Sequence, residues 1–237
     1  MIDFYYSPTP NGWKVGIMLE ECGLEYNTIL MSLSAGEQFS PEFLAVNPNG
    51  KMPAIVDRDT AGAPATVFES GAILLYLADK TGRFAPPGVS VASSPARREL
   101  MQWLFWQVGN QGPIAGQLSH FVNYAPKGED YSLERYRNEY KRSLTVLENR
   151  LQGRDYILGE YSIADMISFP WAFIAGPLGV DLSEYPRVAA WRGAIKTRPA
   201  VHRAIDLHKD KQNRGRETAE SNPLLFNQDG SMLKAKR

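Results

Sequence analysis

All the strand-like segments of this chain lie before residue 69, and every later segment with a period has a helical one. A chain that alternates strands and helices for a third of its length and continues in helices alone does not read as one doubly wound sheet or as one bundle. It reads as a small α/β unit followed by an all-helical one. Residues 2–6, IDFYY, are β-branched and aromatic and predict a first strand. The loop Ser7-Pro8-Thr9-Pro10-Asn11-Gly12 stops it, and from Trp13 the spacing Val15, Met18, Leu19, Cys22 predicts a helix. A second strand is expected over 26–31. Pro41 after Ser40 opens a short helix over 42–46. Two short strands over 53–56 and 65–68 and a helix over 70–81 complete the unit.

The order β-α-β-α-β-β-α is the thioredoxin-like arrangement, a βαβ unit closed by a hairpin. Composition shifts at Ala85-Pro86-Pro87-Gly88 and Ser93-Ser94-Pro95, which read as a linker. The expected division is a thioredoxin-like domain over 1–84, a linker over 85–95, an all-α domain over 96–208 and a tail over 209–237. In the second domain a long pattern over 96–121, broken near Gly112-Pro113, precedes helices over 133–151, 164–174, 185–196 and 200–207. The stretch 164–174 is apolar nearly all round and reads as a buried central helix. Ser162 and Asp165 form a capping-box pattern at its start, read as structural. The tail is polar apart from Leu224-Leu225-Phe226, its expected anchor.

The charge balance narrows the partners. Basic and acidic residues number 26 each, which argues against nucleic acid or an anionic membrane as a partner. No apolar stretch approaches a membrane span, and no secretory leader is apparent at the N-terminus. The single cysteine, Cys22, allows neither an intrachain disulfide nor a thiolate metal cluster, and it suits a reducing, cytoplasmic setting. It falls on the apolar stripe of the first helix and reads as a small buried hydrophobe. His120, His202 and His208 lack metal-ligand spacing, so no metal is expected. Trp103, Phe105 and Trp106 read as core, or as an apolar wall for a second substrate.

Three places carry groups suited to a ligand. Thr9 and Asn11 offer a hydroxyl and an amide where a strand runs into a helix; the alternative is a helix cap and turn chemistry. Pro53 opens a strand; if cis, it frees the backbone of Met52 to pair with an extended ligand, the alternative being a trans proline at an edge. Glu69 and Ser70 precede a helix and fit an amino-acid headgroup, ammonium on one and carboxylate on the other; the alternative is ordinary N-capping.

The stretches SPTPNGWKV, KMPAIVD and FESGAILLYLADKTGRF, followed by YSIADMISFPW and YPRVAAWRGAIKTRPAV, resemble the glutathione transferases over roughly residues 1–208. PTPNGWKV, GEQFSPEFLAVNPNGKMPAIVD and LMQWLFWQVGNQGP resemble more narrowly the nu-class, the bacterial disulfide-bond reductases, and the fungal nitrogen regulators with the same fold. The resemblance implies a glutathione transferase fold that binds glutathione as co-substrate. Met52 would pair with its cysteinyl part, with Pro53 cis. Glu69 and Ser70 would hold the γ-glutamyl end, Gln38 and Lys51 would sit near the glycyl carboxylate, and Thr9 and Asn11 would face the sulfur. It further implies a homodimer in which Arg135 of one subunit reaches glutathione on the other. Many classes carry a tyrosine, serine or cysteine at the sulfur; no cysteine stands in the first loop here, and Thr9 and Asn11 are preferred to Ser7 and Tyr6 for that place. The reaction the resemblance implies is disulfide exchange by bound glutathione thiolate, with no cysteine of the protein. Conjugation to an electrophile or peroxide reduction is the alternative, and a non-enzymatic glutathione-binding regulator is the alternative of another class.

Overall fold

The computed structural model describes residues 1–88, 90–211, 222, 226 and 228–233. Strand β1 (Ile2–Tyr6) is an inner strand of a four-stranded sheet ordered β2-β1-β3-β4, with β2 Tyr26–Leu30, β3 Ala54–Asp57 and β4 Ala65–Phe68. β1 runs parallel to β2, with Ile2 opposite Tyr26, and antiparallel to β3, with Tyr5 opposite Ala54. A parallel pair needs a crossover, and helix α1 (Pro10–Cys22) supplies it. The pleat sends Phe4 and Tyr6 toward α1, while Tyr5 packs on Phe43 of the short helix α2 (Pro41–Val46) on the other face.

Helix α1 begins at Pro10, three residues before the spacing from Trp13 suggested. Thr9 is its cap, accepting from Gly12 N–H, and proline is tolerated in a first turn because its missing N–H has no intrahelical role there. Gly12 is required by close approach: a Cβ there would lie 2.3 Å from the Ser7 carbonyl oxygen. Residues 10–12, expected in the loop, therefore form the first helical turn, and the strand-to-helix connection is correspondingly tight.

Helix α3 (Ser70–Thr81) follows β4. Helix α4 (Pro95–Trp106) opens the helical part, tied back to α3 by Arg97 on Asp79 at 2.8 Å. The break expected near Gly112-Pro113 falls just upstream, as a π-helical turn over Gln107–Gln111 before α5 (Gly112–Asn123). Pro113 has no N–H to offer the carbonyl four residues back, and the wider turn is one way to absorb the mismatch. Helix α6 (Asp130–Arg150), α7 (Ile163–Phe173), α8 (Pro186–Lys196) and α9 (Pro199–Asp206) complete the described helices.

The core runs through α7, of which Ile163 to Ala172 are all buried, and α1 packs against α3, α7 and α9. Two side-chain expectations are corrected. Phe105 is 65% exposed, and Trp103 and Trp106 are only half-buried, because the apolar stripe of α4 is carried by Leu100 and Leu104. Cys22 is half-buried rather than core, since it is the last residue of α1, where the flanking elements fall away. Phe226 packs against the rings of Tyr124 (4.9 Å) and His120 (5.8 Å) of the same chain, while Leu224 and Leu225 lie outside the described residues.

The capping box that starts α7 is also a hub. The Asp165 carboxylate accepts from Ser162 N–H (2.9 Å), Ser162 Oγ (3.1 Å), Ile157 N–H (2.9 Å) and Trp191 Nε1 (2.9 Å), all buried. Asp165→Ala strands several buried donors at about 1–3 kcal/mol each. Urea unfolding should show a loss of about 3–5 kcal/mol; a loss under about 1 kcal/mol would contradict this account.

Candidate functional site

Two adjoining cavities of about 660 and 420 Å³ lie between the sheet end and α5. Asn11, Lys51, Met52 and Trp171 line both, so these residues mark the junction. The narrower cavity holds Glu69 and Ser70; the wider holds Gln38, the Ser7–Thr9 loop and, across from it, His120, Tyr124 and Phe226. An extended ligand lying along Met52 would therefore reach both. The aromatic wall comes from α5, α7 and the C-terminal segment. Trp103 and Trp106, proposed from sequence for such a wall, line neither cavity.

The Met52–Pro53 peptide is cis, and the ladder between β1 and β3 starts only at Ala54, so Met52 stands outside the sheet pairing. Buried Asn47 holds the loop before it, donating to the Lys51 carbonyl and accepting from Asn49 N–H at 2.9 Å.

At α3 the expected cap is displaced by one residue. Glu69, not Ser70, is the N-cap, at φ 70° and ψ 120°, and its side chain makes no capping bond. A non-glycine residue at positive φ is strained, and such strain persists where surrounding structure enforces it. The first N–H groups of α3 are thus left without a side-chain acceptor, at the positive end of the helix dipole. Ser70 is buried, and its hydroxyl accepts from Lys14 Nζ at 3.4 Å. Ordinary capping by Ser70 is not what the geometry shows.

Lys14 was not singled out by sequence reasoning. It is 2% exposed, and its ammonium donates to Gln107 Oε1 at 2.9 Å. Burial pushes its pKa down to about 7, against the attraction of Glu69. Trp171 was also missed: its indole N–H donates to Asn11 Oδ1 at 3.1 Å. With the carbonyl oxygen of that amide engaged by Trp171, its NH2 group remains as a donor. Tyr140, fully buried on α6, donates to the Trp171 carbonyl at 2.7 Å and steadies this arrangement from behind.

Thr9 is engaged in turn chemistry, donating to Ser7 O and accepting from Gly12 N–H, both at 3.4 Å, which is long for either bond. Gln38 is buried, giving Nε2 to Leu33 O at 3.3 Å while its Oε1 has no partner among the described residues. Lys51 is exposed at the junction, and Arg135, exposed on α6, lines neither cavity of its own chain. Tyr6 does not reach the cavities: its hydroxyl donates to Leu207 O at 3.2 Å, and burial raises its pKa. Among the described residues no group of three His, Cys, Asp or Glu side chains could hold a metal, and no helix is long and apolar enough to cross a membrane.

The sequence matches the family Glutathione S-transferase, N-terminal domain, over residues 3–79 and Glutathione S-transferase, C-terminal domain, over residues 114–199. It is 47% identical to disulfide-bond oxidoreductase YfcG of Escherichia coli (strain K12) over 208 residues, covering 86% of this chain and 94% of that protein. A glutathione transferase of Burkholderia graminis, solved with two glutathione molecules per subunit, superposes with a TM-score of 0.80 at 45% identity and covers 88% of each chain. One from Pseudomonas putida, solved with one glutathione disulfide per subunit, gives a TM-score of 0.78 at 38% identity, covering 87% of this chain and 91% of that one. With its small mixed sheet, its helical second part and these matches along both, the chain belongs to the glutathione S-transferase family.

Proposed function

We propose that this protein is a glutathione-dependent disulfide-bond oxidoreductase in which the thiolate of bound glutathione, and no cysteine of the protein, attacks the disulfide. The observation that carries this reading is the position of Cys22. It lies eleven residues along α1 from Asn11, which at 1.5 Å per residue is about 16 Å. Its Sγ faces Met18 Sδ (3.9 Å) and Thr81 Oγ1 (3.7 Å), and burial raises its pKa. A thiol so placed is a weak nucleophile in the wrong place.

The cavities fit a zwitterionic tripeptide. Glu69 takes its ammonium, while Ser70 and the open N–H groups of α3 take the adjoining carboxylate. Met52 pairs its backbone with the cysteinyl part, and Gln38 and Lys51 lie toward the glycyl carboxylate. The sulfur then falls at the junction, beside Asn11 and the N-terminal end of α1, with Thr9 as a second donor once its hydroxyl rotates. Lowering a thiol pKa of about 8.5 by two units needs about 2.7 kcal/mol. One or two hydrogen bonds to a charged sulfur, at about 1.5–3 kcal/mol each, supply it.

In the first step the glutathione thiolate attacks one sulfur of the substrate disulfide, forming a mixed disulfide and releasing one substrate thiolate. A second glutathione thiolate then attacks the glutathione sulfur of that mixed disulfide. The products are glutathione disulfide and the second substrate thiolate, so two glutathiones are oxidised for one disulfide reduced. The wider cavity beside Asn11 has room for the second sulfur. The relative named as a disulfide-bond oxidoreductase and the neighbour solved with glutathione disulfide support this over conjugation or peroxide reduction. The presence of matched groups for each end of the ligand supports an enzyme over a binding-only regulator. A reducing, cytoplasmic setting suits a chain with one free thiol. We assign Arg135 to the partner subunit's site in a homodimer on the resemblance to the nu-class; it is exposed on α6 and lines neither of the two cavities described above.

Disulfide-reductase turnover and thermal unfolding should be measured on the same samples. Cys22→Ala should leave turnover near wild type. Asn11→Ala should lower it about 10- to 100-fold while the protein still folds, with about 1–2 kcal/mol of stability lost as the Trp171 indole N–H loses its acceptor. Thr9→Ala should lower it too, with about 1 kcal/mol of stability lost with the cap. Abolished turnover in folded Cys22→Ala, or full turnover in Asn11→Ala, would overturn the mechanism. Sedimentation equilibrium should show a dimer at assay concentration, and Arg135→Ala should weaken glutathione binding without lowering the unfolding temperature. A monomer whose glutathione affinity is unchanged by Arg135→Ala would remove the assignment.

A further inference from the structure

Helix α1 carries one charge into the protein interior. A buried ammonium ordinarily sits against a carboxylate, yet both hydrogen-bond partners of Lys14, Gln107 and Ser70, are neutral. Among the described residues no carboxylate stands within ion-pair distance of Lys14. The charged groups around it are few. From α3, Glu69 acts on it across the narrower cavity, which Lys51 also lines. On α7, Asp165 is taken up by Ser162, Ile157 and Trp191. On α9, Arg203 pairs with Glu20, Asp206 pairs with Lys209, and His202 is exposed. The π-helical turn presents Gln107, which is neutral.

The Ser70 hydroxyl accepts from Lys14, so its own proton points elsewhere, and Ser70 and Lys14 both line the narrower cavity. We propose that Lys14 is a positioning residue for the ligand's α-carboxylate: it turns the Ser70 hydroxyl outward as a donor, and the carboxylate held there is the anion that keeps the buried ammonium charged. This rests on the reading that the γ-glutamyl end of glutathione lies at Glu69 and Ser70.

The consequence is a coupling between binding and protonation. Without ligand, burial holds the Lys14 pKa at about 7, so near neutral pH the side chain is a mixture of charged and neutral forms. A bound carboxylate favours the charged form and raises that pKa. Above the unliganded midpoint, binding must therefore take up a proton, and the dissociation constant rises with pH by up to about tenfold per unit. Below the midpoint both states are protonated and the dependence vanishes.

The test is calorimetric titration of the full chain with S-methylglutathione, whose blocked sulfur cannot release a proton, in buffers of different ionisation enthalpy. At about pH 8, above the Lys14 midpoint, wild type should take up most of one proton per site. Lys14→Met should take up fewer protons by most of one per site, keeping only what the ligand's own α-amino group takes up at Glu69, and, at about pH 6.5, should bind about 10- to 100-fold more weakly. Wild-type binding without proton uptake overturns the proposal, as does uptake undiminished in Lys14→Met or equal affinity of the two at the lower pH. Should Lys14→Met fail to fold, Lys14→Arg, whose side chain stays charged at every working pH, should bind without the Lys14 share of the uptake, and undiminished uptake there overturns the proposal. Failure of wild type to bind S-methylglutathione at any pH would instead remove the glutathione reading itself.

Discussion

Helix α1 is buried on both sides, against the sheet on one face and α7 on the other, with every residue from Gly12 to Leu19 out of solvent. That double burial fixes where its N-terminal end points, and the candidate site is built around that end. The Thr9 cap and the close approach at Gly12 hold the turn from β1 into α1. The far side is held by Trp171, whose indole reaches Asn11 and whose carbonyl is held by Tyr140. The Asn11 amide proposed to face the ligand sulfur is thus held by packing in the helical part of the chain as well as by its own turn. Loss of packing around α7 would reach the chemistry through this bond before it touched any ligand-facing residue.

The same burial gives the site its electrostatic character. Charges and dipoles at the site act in a medium that screens them less than water does. The positive ends of α1 and α3 both open toward the cavities, and Lys14 adds a buried positive charge behind Ser70. All three favour anionic groups, while Glu69, held at positive φ, adds a carboxylate to the narrower cavity, the place proposed for the ligand ammonium. On the proposed mechanism Cys22 takes no part, and the protein's contribution is to stabilise the reactive form of a bound thiol and to align it with a second sulfur.

Much of this was legible in the sequence. The alternation of strands and helices up to residue 68 and its replacement by helical periods placed the sheet elements within a residue or so. Local chemistry singles out Glu69-Ser70 and Met52-Pro53 but leaves capping and a trans proline open beside the ligand reading; the cis peptide and the ligand roles come from the family resemblance. What escaped did so for physical reasons. A lysine inside a helical pattern reads as solvent-facing, and Lys14 does so until one notices that WKVGIML leaves that stretch of helix no polar face to put it on. Trp171 was hidden because a helix apolar all round gives no clue to which side chain meets the site. The start of α1 was misjudged because Pro10-Asn11-Gly12 is turn composition, and only the tight contact between Gly12 and Ser7 shows why it is helical here. Cys22 shows the opposite error: the stripe it extends is real, but a stripe says nothing of where the packing ends. Arg135 carries no local signal, since its assignment concerns a second copy of the chain.

The claim at the centre of this account is that the reacting sulfur belongs to glutathione and never to the protein. Intact-mass spectrometry of wild-type enzyme, quenched with acid during steady turnover of glutathione and a disulfide substrate, tests it directly. The account predicts that the protein mass stays that of the unmodified chain at every time point. A glutathione or substrate adduct that accumulates on Cys22 at the rate of turnover would contradict it.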